Sequence, residues 1–154
     1  MNIDVNVLNP FLQAGVQVLQ TAANLTVGIG KPALKPLEFD SNTEKVILGL
    51  TGKMTGIVVI AMSVNNACNI ASAMMMGMPV AELDEMAISA ISELGNMVMG
   101  TASTIMASNG IETDITPPMV ERGGGQMEVK DYVNIAVPLM LNGSPLVEMN
   151  IAVK

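Results

Sequence analysis

The sequence predicts an α/β (α+β) fold: a mostly antiparallel sheet with helices packed on it, one of them long. Three observations point there. Apolar residues recur at helical spacing in an N-terminal segment and in two central ones. Runs of β-branched residues joined by glycine-containing turns read as hairpins before and after the central helices. The order is helix, strands, two helices, strands, with no linker or low-complexity block, so residues 1–154 are expected to form one domain.

Each element has a local reason. "NPFLQAGVQVLQTAANL" puts Phe11, Leu12, Val16, Leu19 and Ala23 at helical spacing, with Pro10 tolerated in the first turn. "GIGKPALKP" breaks that helix, and "LEFDS" reads as a short strand. "KVILGLTG" and "MTGIVVIAMS" form a hairpin through Gly52-Lys53. "VNNACNIASAMMMG" reads as a helix capped by Gly77. Its "AMMMGM" is expected to pack in the core, where Met fills irregular gaps. Asp84 opens the longest helix, which runs to Ser108 and closes at Asn109-Gly110. "IETDIT" is a strand stopped by Pro117-Pro118, and the glycines at 123–125 make a loose turn. "MEVKDY", "VNIAVPLML" and "LVEMNIAVK" complete the sheet, with Asn142-Gly143-Ser144 turning the last hairpin. Pro138 inside a strand pattern implies an edge or a bulge.

Composition narrows the function. Net charge is −7 and the seven basic residues are scattered, so a nucleic-acid groove is not expected. The chain has no His and one Cys, which excludes a His-based triad and a zinc site. Cys68 reads as a small buried hydrophobe, and no disulfide can form within the chain. Mean hydropathy is +0.48, high enough to prompt a search for membrane spans. The longest clean apolar run, "GIVVIAM", falls far short of the roughly 20 residues a spanning helix needs. A cytoplasmic protein without membrane insertion is expected, since the N-terminus also lacks the pattern of a secretory signal.

The long helix is unusual in its wet face. From Met86 to Ile111, Glu93 is the only charged side chain. At about 100° per residue, Leu94, Ile105, Val98, Ile91, Ile88 and Met99 fall together as a buried stripe. Ser89, Asn96, Ser103 and Gly100 fall near Glu93 on the opposite side, flanked by Met86, Met97 and Ala90. Gly95 points to the core, where it lets another element approach closely. Gly100 points outward, where a partner's backbone coming near would explain it. Interface cores are depleted of charge, so a smooth Ser/Gly/Met face around one carboxylate and one amide is consistent with docking a protein.

At these residues the sequence resembles the CheC/CheX family of response-regulator phosphatases, and its CheX branch most closely. The family signature is Asp or Ser, three residues, Glu, two residues, Asn, here Ser89-Ala-Ile-Ser-Glu93-Leu-Gly-Asn96. "LDEMAISAISELGNMVMG", "GLTGKMTGIVVIAMS" and "DITPPMV" resemble family blocks in the right order. The resemblance runs from Lys45 to the end, and the first 44 residues match in pattern only.

The resemblance implies a substrate, a phosphorylated CheY-like response regulator carrying an acyl phosphate on an Asp. It implies that Glu93 pairs with the regulator's active-site Lys and that Asn96 orients the attacking water. Ser89, Met97 and Gly100 would contact the partner. No cofactor of its own is implied; Mg2+ would be supplied in the regulator's site. A single copy of the motif fits a CheX-like homodimer. Two other readings stand beside this one. One is a non-enzymatic module that binds response regulators or the flagellar switch; the other is a small-ligand sensor in the sheet–helix core, raised by the 15 Met.

Overall fold

Helices and strands follow one another in the expected order. The computed structural model describes residues 5–52, 54–127, 129 and 131–153. Helix α1 (Val5–Ala23) is followed by three short strands, β1 (Gly28–Ile29), β2 (Ala33–Leu34) and β3 (Glu38–Phe39). The first long hairpin is β4 (Thr43–Gly52) with β5 (Gly56–Ser63), and α2 (Val64–Met74) and α3 (Glu85–Ser108) follow it. Then come β6 (Thr113–Ile115), β7 (Met119–Arg122), β8 (Gly125–Gln126), β9 (Val133–Leu141) and β10 (Ser144–Val153).

The main sheet runs β1-β9-β10-β5-β4-β6, with β2 also on β9 and β7 also on β4. Its pairings are antiparallel. The outer edges of β9 and β4 are thus each covered by two short strands, and β3 pairs separately with β8. Alternation along the long strands sorts side chains onto two faces. Val46, Leu48, Val58, Ile60, Val137, Met149 and Ile151 face the helices and join Phe11, Val18, Ile70 and Ile91 in the main core. On the other face, Val59, Ala61 and Ala152 lie beneath Leu37, with Phe39, Met127 and Tyr132 packed around them.

The last hairpin turns at two left-handed residues, Asn142 (φ 51°) and Gly143 (φ 82°), which suits a two-residue connection between twisted strands. A bulge interrupts β10 between Pro145 and Val147. Pro138 sits between the stretches of β9 paired to β2 (135–136) and to β1 (139–140), where the ladder on that side is broken. Its carbonyl still accepts from the Gly30 amide at 2.8 Å.

Three expectations are corrected. Helix α1 begins at Val5, about a turn early, so Pro10 lies inside it and one backbone rung is lost. Burial of Val7 (1% exposed) and Leu8 (7%) offsets that loss. The methionine run is only partly core: Met74 and Met75 pack against it, but Met76 is 99% exposed and Met78 53%. The chain turns left-handed at Met76 (φ 58°) and Gly77 (φ 87°), which swings those side chains off the core. In "MEVKDY", the described residues Met127, Val129, Asp131 and Tyr132 form no strand, because the left-handed Asp131 (φ 65°) turns the chain there. Glu128 and Lys130, like Lys53 in the first hairpin, lie outside the described residues.

Candidate functional site

The motif helix is built as its sequence dictates. The Asp84 carboxylate caps the first turn of α3, accepting from the Ala87 amide at 2.9 Å, and Gly110 (φ 76°) ends the helix after Asn109. Ala87, Ile91, Leu94, Gly95, Val98, Ala102 and Met106 are buried. That stripe fixes the helix's rotation, and with it the direction of every other side chain.

Opposite the stripe, Met86, Ser89, Glu93, Asn96 and Gly100 are all exposed, and Met97 is half-buried beside them. They stand three or four residues apart, so they form one line along the helix. From Met86 to Gly100 this line is about 21 Å long. Among the described residues, no side chain of this protein pairs with Glu93 or Asn96. Both are therefore free to meet groups from outside. Beyond Gly100, Thr104 donates inward to the Gly100 carbonyl at 3.0 Å, leaving the face without projecting charge.

The two glycines divide as the sequence reading expects. A Cβ on Gly95 would stand 2.6 Å from Val46 Cγ1 and 2.8 Å from Pro118 Cβ, so α3 lies hard against β4 and the segment before β7. A Cβ on Gly100 would meet nothing within 4 Å. Ile88 is a correction to the expected stripe. It is 38% exposed, because the flank that Val46 and Pro118 cover at Gly95 is open at the first turn. Met99 and Ile105 are half-buried rather than buried. Cys68 is buried, as expected.

A cleft of about 700 Å³ opens beside the last turns of α3, lined by Ser103, Ala107, Gly110 and Asp114, and takes in none of Ser89, Glu93 and Asn96. A cleft of about 710 Å³ lies across the sheet, between Lys35, Leu37, Met127, Tyr132 and Asn134, and shares no residue with α3. The sheet–helix core between Gly15, Ile60, Leu94 and Met149 leaves a cavity of only about 10 Å³, too small for an organic ligand. Among the described residues, no three Cys, Asp or Glu side chains gather as metal ligands, and no helix is long and apolar enough to cross a membrane. The face therefore offers a carboxylate and an amide on a rigid helix: one charge to pair and one group that both donates and accepts hydrogen bonds.

Known proteins share this fold. The family model for the chemotaxis phosphatase CheX matches residues 45–140. The CheY-P phosphatase CheX of Thermotoga maritima is 30% identical over 154 residues, 99% of this chain and 98% of that protein. The structure of chemotaxis protein CheX from Vibrio vulnificus has a TM-score of 0.83 at 26% identity, covering 96% of this chain and 99% of that one. A CheX–CheY–BeF3–Mg2+ complex from Borrelia burgdorferi gives a TM-score of 0.75 at 27% identity, covering 96% and 97%. The aligned similarity thus takes in the segment before Lys45 as well, beyond the blocks that carry the motif resemblance. Sequence and architecture agree over nearly the whole length, and the chain belongs to the CheX family of chemotaxis phosphatases.

Proposed function

We propose that this chain, acting as one domain over residues 1–154, accelerates hydrolysis of the aspartyl phosphate on a CheY-like response regulator. The observation that carries the reading is the pair Glu93 and Asn96, exposed one turn apart on a helix face otherwise free of charge. The relatives support it: one is named a CheY-P phosphatase, and another is solved in complex with CheY.

In this mechanism the Glu93 carboxylate pairs with the regulator's active-site Lys and sets the register of docking. Asn96, one turn on, enters the regulator's site. Its carboxamide holds a water in line with the phosphorus. The water oxygen bonds to phosphorus as the bond to the aspartyl oxygen breaks, leaving a free carboxylate and inorganic phosphate. Such transfer needs positioning more than it needs covalent chemistry from the protein. Mg2+ held in the regulator's own site offsets the charge on the phosphoryl oxygens. Ser89, Met97 and Gly100 line the docking face around the two functional groups. The reading places the chain in the cytoplasm, and the family resemblance implies a homodimer, which sedimentation of the purified protein checks.

Asn96→Ala tests the core of the proposal. Asn96 is exposed and its side chain has no described partner, so the melting temperature is expected to stay at wild type. Removing a positioned polar group lowers kcat by about 10²-fold. Wild-type decay of the phosphorylated regulator in this variant would overturn the role of Asn96.

A further inference from the structure

We propose that Met86 is an apolar anchor for the response regulator and sets affinity rather than turnover; the proposal rests on the phosphatase reading above. Among the described residues, the large hydrophobics left exposed are Val5, Ile29, Leu34, Met76, Met78, Met86, Ile88 and Met119. Half of them fall between residues 76 and 88, in the approach to α3 and its first turn. Of these, Met86 alone stands on the motif line of α3, seven residues before Glu93 and 60% exposed. Two helical turns put it about 10 Å from Glu93 along the axis, with Ser89 between them. Ile88 points to the other flank and does not join this line.

The fold gives no reason for a methionine there. Glu and Gln form helix about as well as Met does, and the positive end of the helix dipole would favour Glu in this exposed first turn. Interface cores are enriched in Met and depleted of Lys and Glu, and the unbranched thioether adapts to an irregular partner surface. The same depletion marks the rest of this line, where Glu93 is the single charge. The docking face therefore begins at Met86 and not at Ser89. Its partner presents an apolar surface about 10 Å from the Lys that meets Glu93.

The test is the dependence of initial rate on the concentration of a CheY-type regulator phosphorylated with acetyl phosphate. Met86→Ala is expected to raise KM about tenfold, the loss of one buried apolar side chain. Met86→Leu restores the wild-type KM, and kcat is the same in both variants. An unchanged KM in Met86→Ala, or a lowered kcat with unchanged KM, overturns the proposal. The phosphatase reading fails separately, if the wild-type protein does not speed decay of the phosphorylated regulator. In that event affinity is read by titrating each variant with the regulator held in its beryllofluoride–Mg2+ form. A Kd in Met86→Ala equal to wild type overturns the anchor, and absence of wild-type binding overturns both readings.

Discussion

At the scale of single residues, Glu93 is the charge that α3 retains over a long stretch of its wet side. Desolvating a charge without a partner is costly, so a docking face keeps only those that will be paired. Glu93→Lys reverses the sign and sets like charges together. KM is expected to rise by at least about tenfold at low salt, because electrostatic complementarity governs both encounter and register. Added salt should then lower the variant's KM, since screening weakens repulsion, and raise that of wild type, where it weakens attraction. Rates measured across ionic strength read both slopes. Identical KM curves would remove Glu93 from the interface.

At the scale of the element, α3 holds two glycines five residues apart with opposite surroundings. Either Gly→Ala change gains up to about 1 kcal/mol of helix propensity. At Gly100 nothing opposes that gain, so Gly100→Ala is expected to raise the melting temperature. At Gly95 the new methyl group meets Val46 Cγ1 at 2.6 Å and the Pro118 ring at 2.8 Å. The valine methyl can give way, but the ring is rigid and tied into the strand region beside it. Overpacking of this kind costs about 1–3 kcal/mol, more than the propensity gain, so Gly95→Ala lowers the melting temperature. Gly100→Leu completes the set: it should fold as wild type yet slow dephosphorylation by standing off the partner. Unfolding of Gly100→Leu would mean that the exposed line is rotated from its assigned direction.

At the scale of the whole molecule, the sheet has to hold α3 in place, and the edge beside α3 is short. Strand β7 lies on β4, where Arg122 is paired with Glu44 in the ladder and donates to its carboxylate at 3.0 Å. The Glu44 side chain is 3% exposed, while that of Arg122 is 48% exposed, so one partner is buried and the other half in water. Arg122→Ala leaves the carboxylate without this partner. The full penalty for an orphaned buried charge is discounted here because water reaches the arginine's side, giving a loss on the order of 2 kcal/mol. In a chain of this length that is a fall in melting temperature of roughly 4–8 °C. Calorimetry showing no change would mean that the pair contributes nothing to holding β7. Dephosphorylation well below the melting point should persist, because Arg122 is not on the motif face.

What the sequence determined by itself is local. The caps at Asp84 and Gly110, the Asn142-Gly143 turn and the line through Ser89, Glu93, Asn96 and Gly100 all follow from helix period and backbone conformation within a few residues. The candidate site was legible for that reason: its residues share one helix, and helical geometry brings them together without help from the rest of the chain. Tertiary structure decided what depends on which surface stands opposite. It extended α1 through Pro10, because Val7 and Leu8 found a core to enter. It packed Met74 and Met75 against the core, half-buried, and left Met76 in water. It set Gly95 against Val46 and Pro118, and it joined Glu44 to Arg122 across 78 residues of sequence. It also left Ile88 and Met86 uncovered at the open end of the helix. A periodic pattern states which residues share a face, but burial is settled by long-range packing. The free energy of that packing outweighs local propensity and cannot be read from a single helix.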